Sequence, residues 1–159
     1  MLVSNSFDLP LASDIIASQA AMPGAMLPIL HSLQERFGYI HADMVPLIAD
    51  ALNVSRAEVH GVITYYHFFR QHPVGKHVVQ ICRAESCQAI GGVALAEHAR
   101  TVLGCDFHAT SADGEFTLEP VYCLGQCGCG PAMTVGDDVY ARVTIDKFNR
   151  IVAAKRGSV

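Results

Sequence analysis

The sequence predicts an α + α/β chain, with an N-terminal helical bundle over residues 1–72 and a compact α/β domain over residues 73–159. Three observations predict it. All 6 cysteines lie in the second half, the first half carries apolar residues at helical spacing, and the second half mixes β-branched runs with a long helical stretch. The two patterns meet at Arg70-Gln-His-Pro-Val-Gly75, a break that suits a domain boundary.

Taken in order, Ala12 to Ala20 is the weakest expected helix, and it stops before Pro23-Gly24. The next places Met26, Leu30, Leu33 and Phe37 on one face and Gln34, Glu35 and Arg36 on the other, with Gly38 as its stop. A third fits Asp43 to Leu52. Ser55-Arg-Ala-Glu58 is a capping box that opens a fourth helix, turning Val59, Val62, Ile63 and Tyr66 inward. Short loops between such helices give a small antiparallel bundle. In the second half His77 to Ile81 reads as a buried strand ending at Cys82, and Gln88 to Leu103 as a helix weakened by Gly91-Gly92. Cys105 to Thr110 and Glu115 to Tyr122 flank the hairpin signal Asp113-Gly114, and Ala132 to Val135 and Val139 to Val143 flank Gly136-Asp-Asp138. Thr144 caps a last helix running to about Ala154. The order strand–helix–strand–strand–strand–helix is thioredoxin-like.

Composition narrows the function. With 51% hydrophobic residues and 16% charged ones, the chain has enough apolar surface to bury a core. Its net charge of −4, with no basic run beyond Lys155-Arg156, excludes a nucleic-acid footprint. There is no membrane span, no basic signal region and no Arg-rich presequence, so the chain reads as cytoplasmic. Cysteines clustered in one half of such a chain favour metal or redox chemistry over disulfides.

The chemistry is carried by Cys82-x4-Cys87 and Cys123-x3-Cys127, each pair following a predicted strand. Four thiolates on two adjacent loops suit a [2Fe–2S] cluster, two sulfurs per iron, and the site is metal-binding through Cys82, Cys87, Cys123 and Cys127. Gly125, Gly128 and Gly130 would let backbone amides approach the sulfurs and offset their charge. A four-cysteine zinc site is the chemical rival; spacing favours iron–sulfur without excluding zinc. A Rieske centre would need two suitably placed histidines, and a dithiol oxidoreductase would need Cys-x-x-Cys, which is absent. Cys129 competes with Cys127 as fourth ligand, although its simpler role is a small residue packed under the cluster. Cys105 reads as a buried thiol.

These motifs resemble a known family. Cys82-x4-Cys87 followed by Cys123-Leu-Gly-x-Cys127-x-x-x-Pro131-Ala is similar to the thioredoxin-like [2Fe–2S] subunits of respiratory complex I, NAD-linked hydrogenases and soluble NAD-dependent formate dehydrogenases. In the helical half, Leu33-Gln-Glu-Arg-Phe-Gly-Tyr39, Ser55-Arg-Ala-Glu-Val-His-Gly-Val62 and Thr64-Tyr-Tyr66 match too, so the resemblance covers about residues 24 to 155. It implies one [2Fe–2S] cluster and an electron-transfer role beside a flavin- and NAD-binding beta subunit. Cys82-Arg-Ala-Glu-Ser-Cys-Gln88 most resembles the formate dehydrogenase gamma subunit, which implies a molybdenum-containing alpha subunit in the complex. Cys129 is the departure from the pattern.

No phosphate-cradling glycine loop and no catalytic triad or carboxylate pair stands out, so the chain shows no substrate site of its own. Arg83 and Glu85 read equally as solvated loop residues or as charges acting on the cluster or a partner. His60 reads as a satisfied buried histidine. Tyr65, Tyr66, Phe68 and Phe69 read first as core and second as a docking patch.

Overall fold

Of the helices of the first half, two open on a side-chain cap and two close on a residue in the left-handed region. The structure is a computed structural model and describes residues 8–157. Helix α1 (Leu9–Gln19) starts three residues earlier than expected because Asp8 accepts a hydrogen bond from the Leu11 amide and Pro10 fits the first turn. Helix α2 (Met26–Phe37) ends on Gly38 at φ 83°, whose N–H donates to the Gln34 carbonyl. Helix α3 (Met44–Leu52) ends on Asn53 in the left-handed region, and α4 (Arg56–Tyr65) opens with both halves of the Ser55–Glu58 capping box formed.

The chain divides into two compact units, Met1–Pro73 and Val74–Val159, each with its own apolar core. In the first unit, Ala12 and Ile16 of α1, Ile29, Leu30, Leu33 and Phe37 of α2, Met44 and Ile48 of α3, and Val59 and Ile63 of α4 pack together with Phe69. Several inward and outward assignments differ from the sequence reading. Gln34 is buried, because its amide donates to the Phe68 carbonyl at 2.9 Å and accepts from the Arg70 N–H at 2.7 Å. It satisfies two backbone groups of the segment after α4, and those bonds offset the cost of burying it. Tyr66 is exposed rather than inward, since α4 ends at Tyr65 and Tyr66 leaves the helix at ψ 99°. His60 is exposed, so it is no buried histidine. Of the aromatic run only Phe69 reaches the core; Tyr65, Tyr66 and Phe68 face out.

The second unit is built on a five-stranded mixed sheet in the order β2-β3-β1-β4-β5. Its strands are β1 (His77–Cys82), β2 (Ala109–Thr110), β3 (Phe116–Val121), β4 (Met133–Val135) and β5 (Asp138–Tyr140). The central pair, β1 and β3, is parallel; β2, β4 and β5 join antiparallel. A one-turn helix α5 (Glu85–Cys87) and α6 (Val93–Leu103) follow β1, and α7 (Ile145–Arg156) ends the domain, capped by Thr144. Leu95, Ala96, Ala99 and Leu103 of α6 and Phe148 and Val152 of α7 bury Val79, Ile81, Phe116, Leu118 and Met133. Two strands are shorter than expected. The Asp106 carboxylate takes up the Phe107 N–H and the Arg100 guanidinium, and His108 sits at φ 63°, so only Ala109–Thr110 remains extended. Arg142 at φ 49° turns the chain out of β5 before Val143. Among the described residues no helix is long and apolar enough to cross a membrane.

Candidate metal centre

Parallel pairing of β1 and β3 explains how two cysteine motifs far apart in sequence meet. Cys82 lies opposite Val121 in register, so both strands leave the sheet at the same end. The Arg83 N–H donates to the Val121 carbonyl at 2.7 Å, and the Cys82 N–H donates to the Ala132 carbonyl at 3.0 Å. Both loops therefore start from fixed backbone.

In the first loop Cys87 sits on the single turn α5, where the sequence predicts a plain loop. Directly after it the helical path breaks at Ile90 and Gly91, the latter at φ 105°. Gly92 is packed so tightly that a Cβ there would stand 2.5 Å from the Cys87 carbonyl oxygen. The glycine pair, which in sequence weakens the helix, thus lets the chain fold back against Cys87 before α6 begins. In the second loop Cys123 takes a left-handed conformation, φ 105°, and its sulfur accepts the Gly125 N–H at 3.3 Å. Cys127 opens a single 3₁₀ turn, Cys127–Cys129, with its sulfur 3.8 Å from that of Cys123. The Ser86 hydroxyl donates to the Cys127 carbonyl at 3.4 Å and links the loops. A Cβ on Gly130 would lie 3.2 Å from the Cys87 sulfur, so this glycine leaves room for it.

Cys82 and Cys87 are buried with Ala132 in a small apolar nook edged by Ala84, Val121 and Leu124, whereas Cys123 and Cys127 are exposed. Burial pushes the Cys82 thiol up, but the amides of Ala84, Cys123 and Leu124 and the Cys87 side chain stabilise its thiolate, leaving it below the ordinary value. Burial, and then the neighbouring Cys82, push Cys87 up. Cys127 is raised chiefly by its contact with Cys123. Cys87 feels the charge of Cys82 and Cys127, and Cys127 that of Cys123 and Cys82, so the two pairs lie within electrostatic reach of each other. Among the described residues no three or more His, Cys, Asp or Glu side chains form a group that could hold a metal ion. Two sulfurs for each of two irons is the donor pattern that this pairing matches.

The donor set also fits the charge of such a cluster. Four thiolates and two sulfides leave it net negative, and amides aimed at sulfur together with glycines that admit them offset that charge. The other cysteines stand apart. Cys105 is half-buried beside the Leu118 backbone, with burial raising its thiol, and lies outside the nook. The Cys129 sulfur faces the Arg142 guanidinium at 3.9 Å. Arg83 leads its guanidinium over the Phe107 ring, 5.0 Å from the centroid. Sequence reasoning missed Ser86, Gly92 and Arg142; a glycine pair shortly after a cysteine was the available signal for Gly92, and nothing local marked the other two.

A thioredoxin-like sheet with four cysteines on two loops at one end defines a class, the iron–sulfur proteins that hold their cluster at the edge of an α/β domain. The sequence profile of thioredoxin-like [2Fe–2S] ferredoxins matches residues 12–156, and the chain belongs to that family, whose members carry one [2Fe–2S] cluster. It is 31% identical over 153 residues to a subunit of the NADH-quinone oxidoreductase of Rhizobium meliloti, covering 94% of this chain and 91% of that one. It is 29% identical over 147 residues to the HndA subunit of the NADP-reducing hydrogenase of Solidesulfovibrio fructosivorans, covering 91% and 86%. Among solved structures, a chain of an NAD⁺-reducing [NiFe]-hydrogenase in the air-oxidised state superposes with a TM-score of 0.72 at 18% identity. That match covers 89% of this chain but 24% of the hydrogenase chain, so the fold here spans about a quarter of that protein's length.

Proposed function

We propose that Cys82, Cys87, Cys123 and Cys127 hold the [2Fe–2S] cluster and that the chain is an electron-transfer subunit of an NAD-linked oxidoreductase complex. One observation carries this reading. Two cysteine pairs, one sunk in an apolar nook and one exposed, close on each other at the shared end of two parallel strands. The buried pair anchors the cluster, and the exposed pair gives an electron partner close approach. The cluster supplies one-electron chemistry; the flavin, NAD and substrate steps belong to partner subunits. The helical bundle, residues 1–72, serves assembly, and residues 73–159 form the electron-transfer domain. A cytoplasmic location suits such a complex.

Within that class, the residues between Cys82 and Cys87 support the gamma subunit of a soluble NAD-dependent formate dehydrogenase, with a flavin-bearing beta subunit and a molybdenum-containing alpha subunit. The names of the relatives favour a second reading, the equivalent subunit of an NADH-quinone oxidoreductase or a hydrogenase. Purifying the intact complex and assaying molybdenum, formate-dependent NAD⁺ reduction, hydrogen uptake and quinone reduction decides between them.

The ligand set is tested by absorption and low-temperature EPR before and after dithionite, with iron and acid-labile sulfide counted. About two iron per chain, bands that bleach and a spin-half signal are expected. Alanine at any of the four positions abolishes or destabilises the cluster, while Cys105→Ala leaves it intact. A normal cluster in Cys87→Ala, or zinc without sulfide in the unaltered protein, refutes the assignment.

A further inference from the structure

We propose that Arg142 is a positioning residue of the cluster, fixing the Cys127–Cys129 turn and placing beside it a positive charge that raises the reduction potential. The inference rests on the ligand set proposed above, since its effect is exerted on the cluster through that turn.

Arg142 reaches the second cysteine loop twice. Its backbone N–H donates to the Cys129 carbonyl at 2.6 Å, and its guanidinium Nη2 lies 3.9 Å from the Cys129 sulfur. The strap on which it sits is tied down on either side. The Val143 N–H donates to the Pro131 carbonyl at 2.9 Å, and the Lys147 ammonium donates to the Ala141 carbonyl at 2.6 Å. The 3₁₀ turn that begins with Cys127 is therefore laced to the chain entering α7. Arg142 holds this place at φ 49°, a conformation that costs any residue with a Cβ and costs glycine nothing. The ion pairs formed among the described residues use Arg100, Lys155, Arg156 and two histidines, so the charge of Arg142 is not neutralised by a carboxylate.

The sign of the effect follows from the charge of the centre. A cluster with four thiolates is net negative and becomes more so on taking up one electron, so a nearby cation favours the reduced form. Arg142 is exposed, and solvent and salt weaken its field. About a threefold change in the one-electron equilibrium constant is expected on its loss, a fall of about 30 mV at roughly 59 mV per tenfold.

The experiment uses the full holoprotein as wild type, R142Q, R142K and R142G, with dithionite titration followed by the EPR signal, and thermal unfolding alongside. R142Q is expected to lower the potential and R142K to keep it near the wild-type value. R142G separates charge from folding: it relieves the left-handed strain, so its Tm holds or rises, while its potential falls as in R142Q. The shift shrinks at high salt. Potentials unmoved in R142Q and R142G with a normal EPR signal overturn the inference, as does an equal fall in R142K. An unaltered protein with no EPR signal on reduction fails differently: it removes the ligand reading itself.

Discussion

Replacing Gly92 by alanine tests whether the backbone behind Cys87 is as tightly specified as the structure shows. The added Cβ would meet the Cys87 carbonyl oxygen at 2.5 Å and its carbon at 2.8 Å. Both are backbone atoms, so no side chain can swing aside. Relief requires the Cys87 peptide to retreat, carrying its sulfur with it, in a loop where the Gly130 approach already leaves little slack. Overpacking of this kind costs about 1–3 kcal/mol. In a domain of this size about 2 kcal/mol corresponds to roughly 10 °C in Tm. Because cluster binding and folding are linked, the iron content should fall as well. Gly128→Ala is the control: a Cβ there meets nothing within 4 Å although it lies between Cys127 and Cys129. Thermal unfolding and iron per chain, measured on both variants prepared in parallel, give the answer. Wild-type Tm and iron in Gly92→Ala would refute the close approach.

Two further outcomes concern the first unit. Gln34→Leu removes both part-buried hydrogen bonds to the segment after α4, so unfolding followed by helical circular dichroism should show a loss of about 1–3 kcal/mol; an unchanged midpoint would return Gln34 to the surface role its neighbours suggest. The Ser55 amide and hydroxyl hold the Glu58 carboxyl below its ordinary value of 4.5, so its stabilisation is present above that pH and is lost as pH falls through the lowered folded-state value. Urea midpoints of wild type and Glu58→Gln should therefore differ at neutral pH and converge in acid, and a difference independent of pH would show that the charged form is not what the capping box uses.

Elements set by local chemistry were legible. The capping box at Ser55, the glycine stop at Gly38, the Thr144 cap and the strand ending at Cys82 all lie where short-range hydrogen bonding and β-branching put them. Readings failed where a distant group decided the outcome. Gln34 sits beside Glu35 and Arg36 and looks solvated until the carbonyl of Phe68 and the amide of Arg70 are brought to it. The stretch from Cys105 looked like a strand, yet the Arg100–Asp106 ion pair and a left-handed His108 hold most of it out of the sheet.

The sequence by itself determined the candidate donors: four cysteines in two short motifs with glycines beside the second, in a chain whose net charge of −4 and lack of a basic run leave out a nucleic-acid surface. It could do so because ligand type and local spacing are properties of neighbouring residues. How deeply each pair is sunk, how the two loops meet and which amides face sulfur were decided only by the tertiary structure. The parallel register of β1 and β3 sets the distance between the loops, and the strap through Arg142 reaches the second loop from beyond β5. Those are contacts between segments remote in the chain, and no local pattern encodes their geometry.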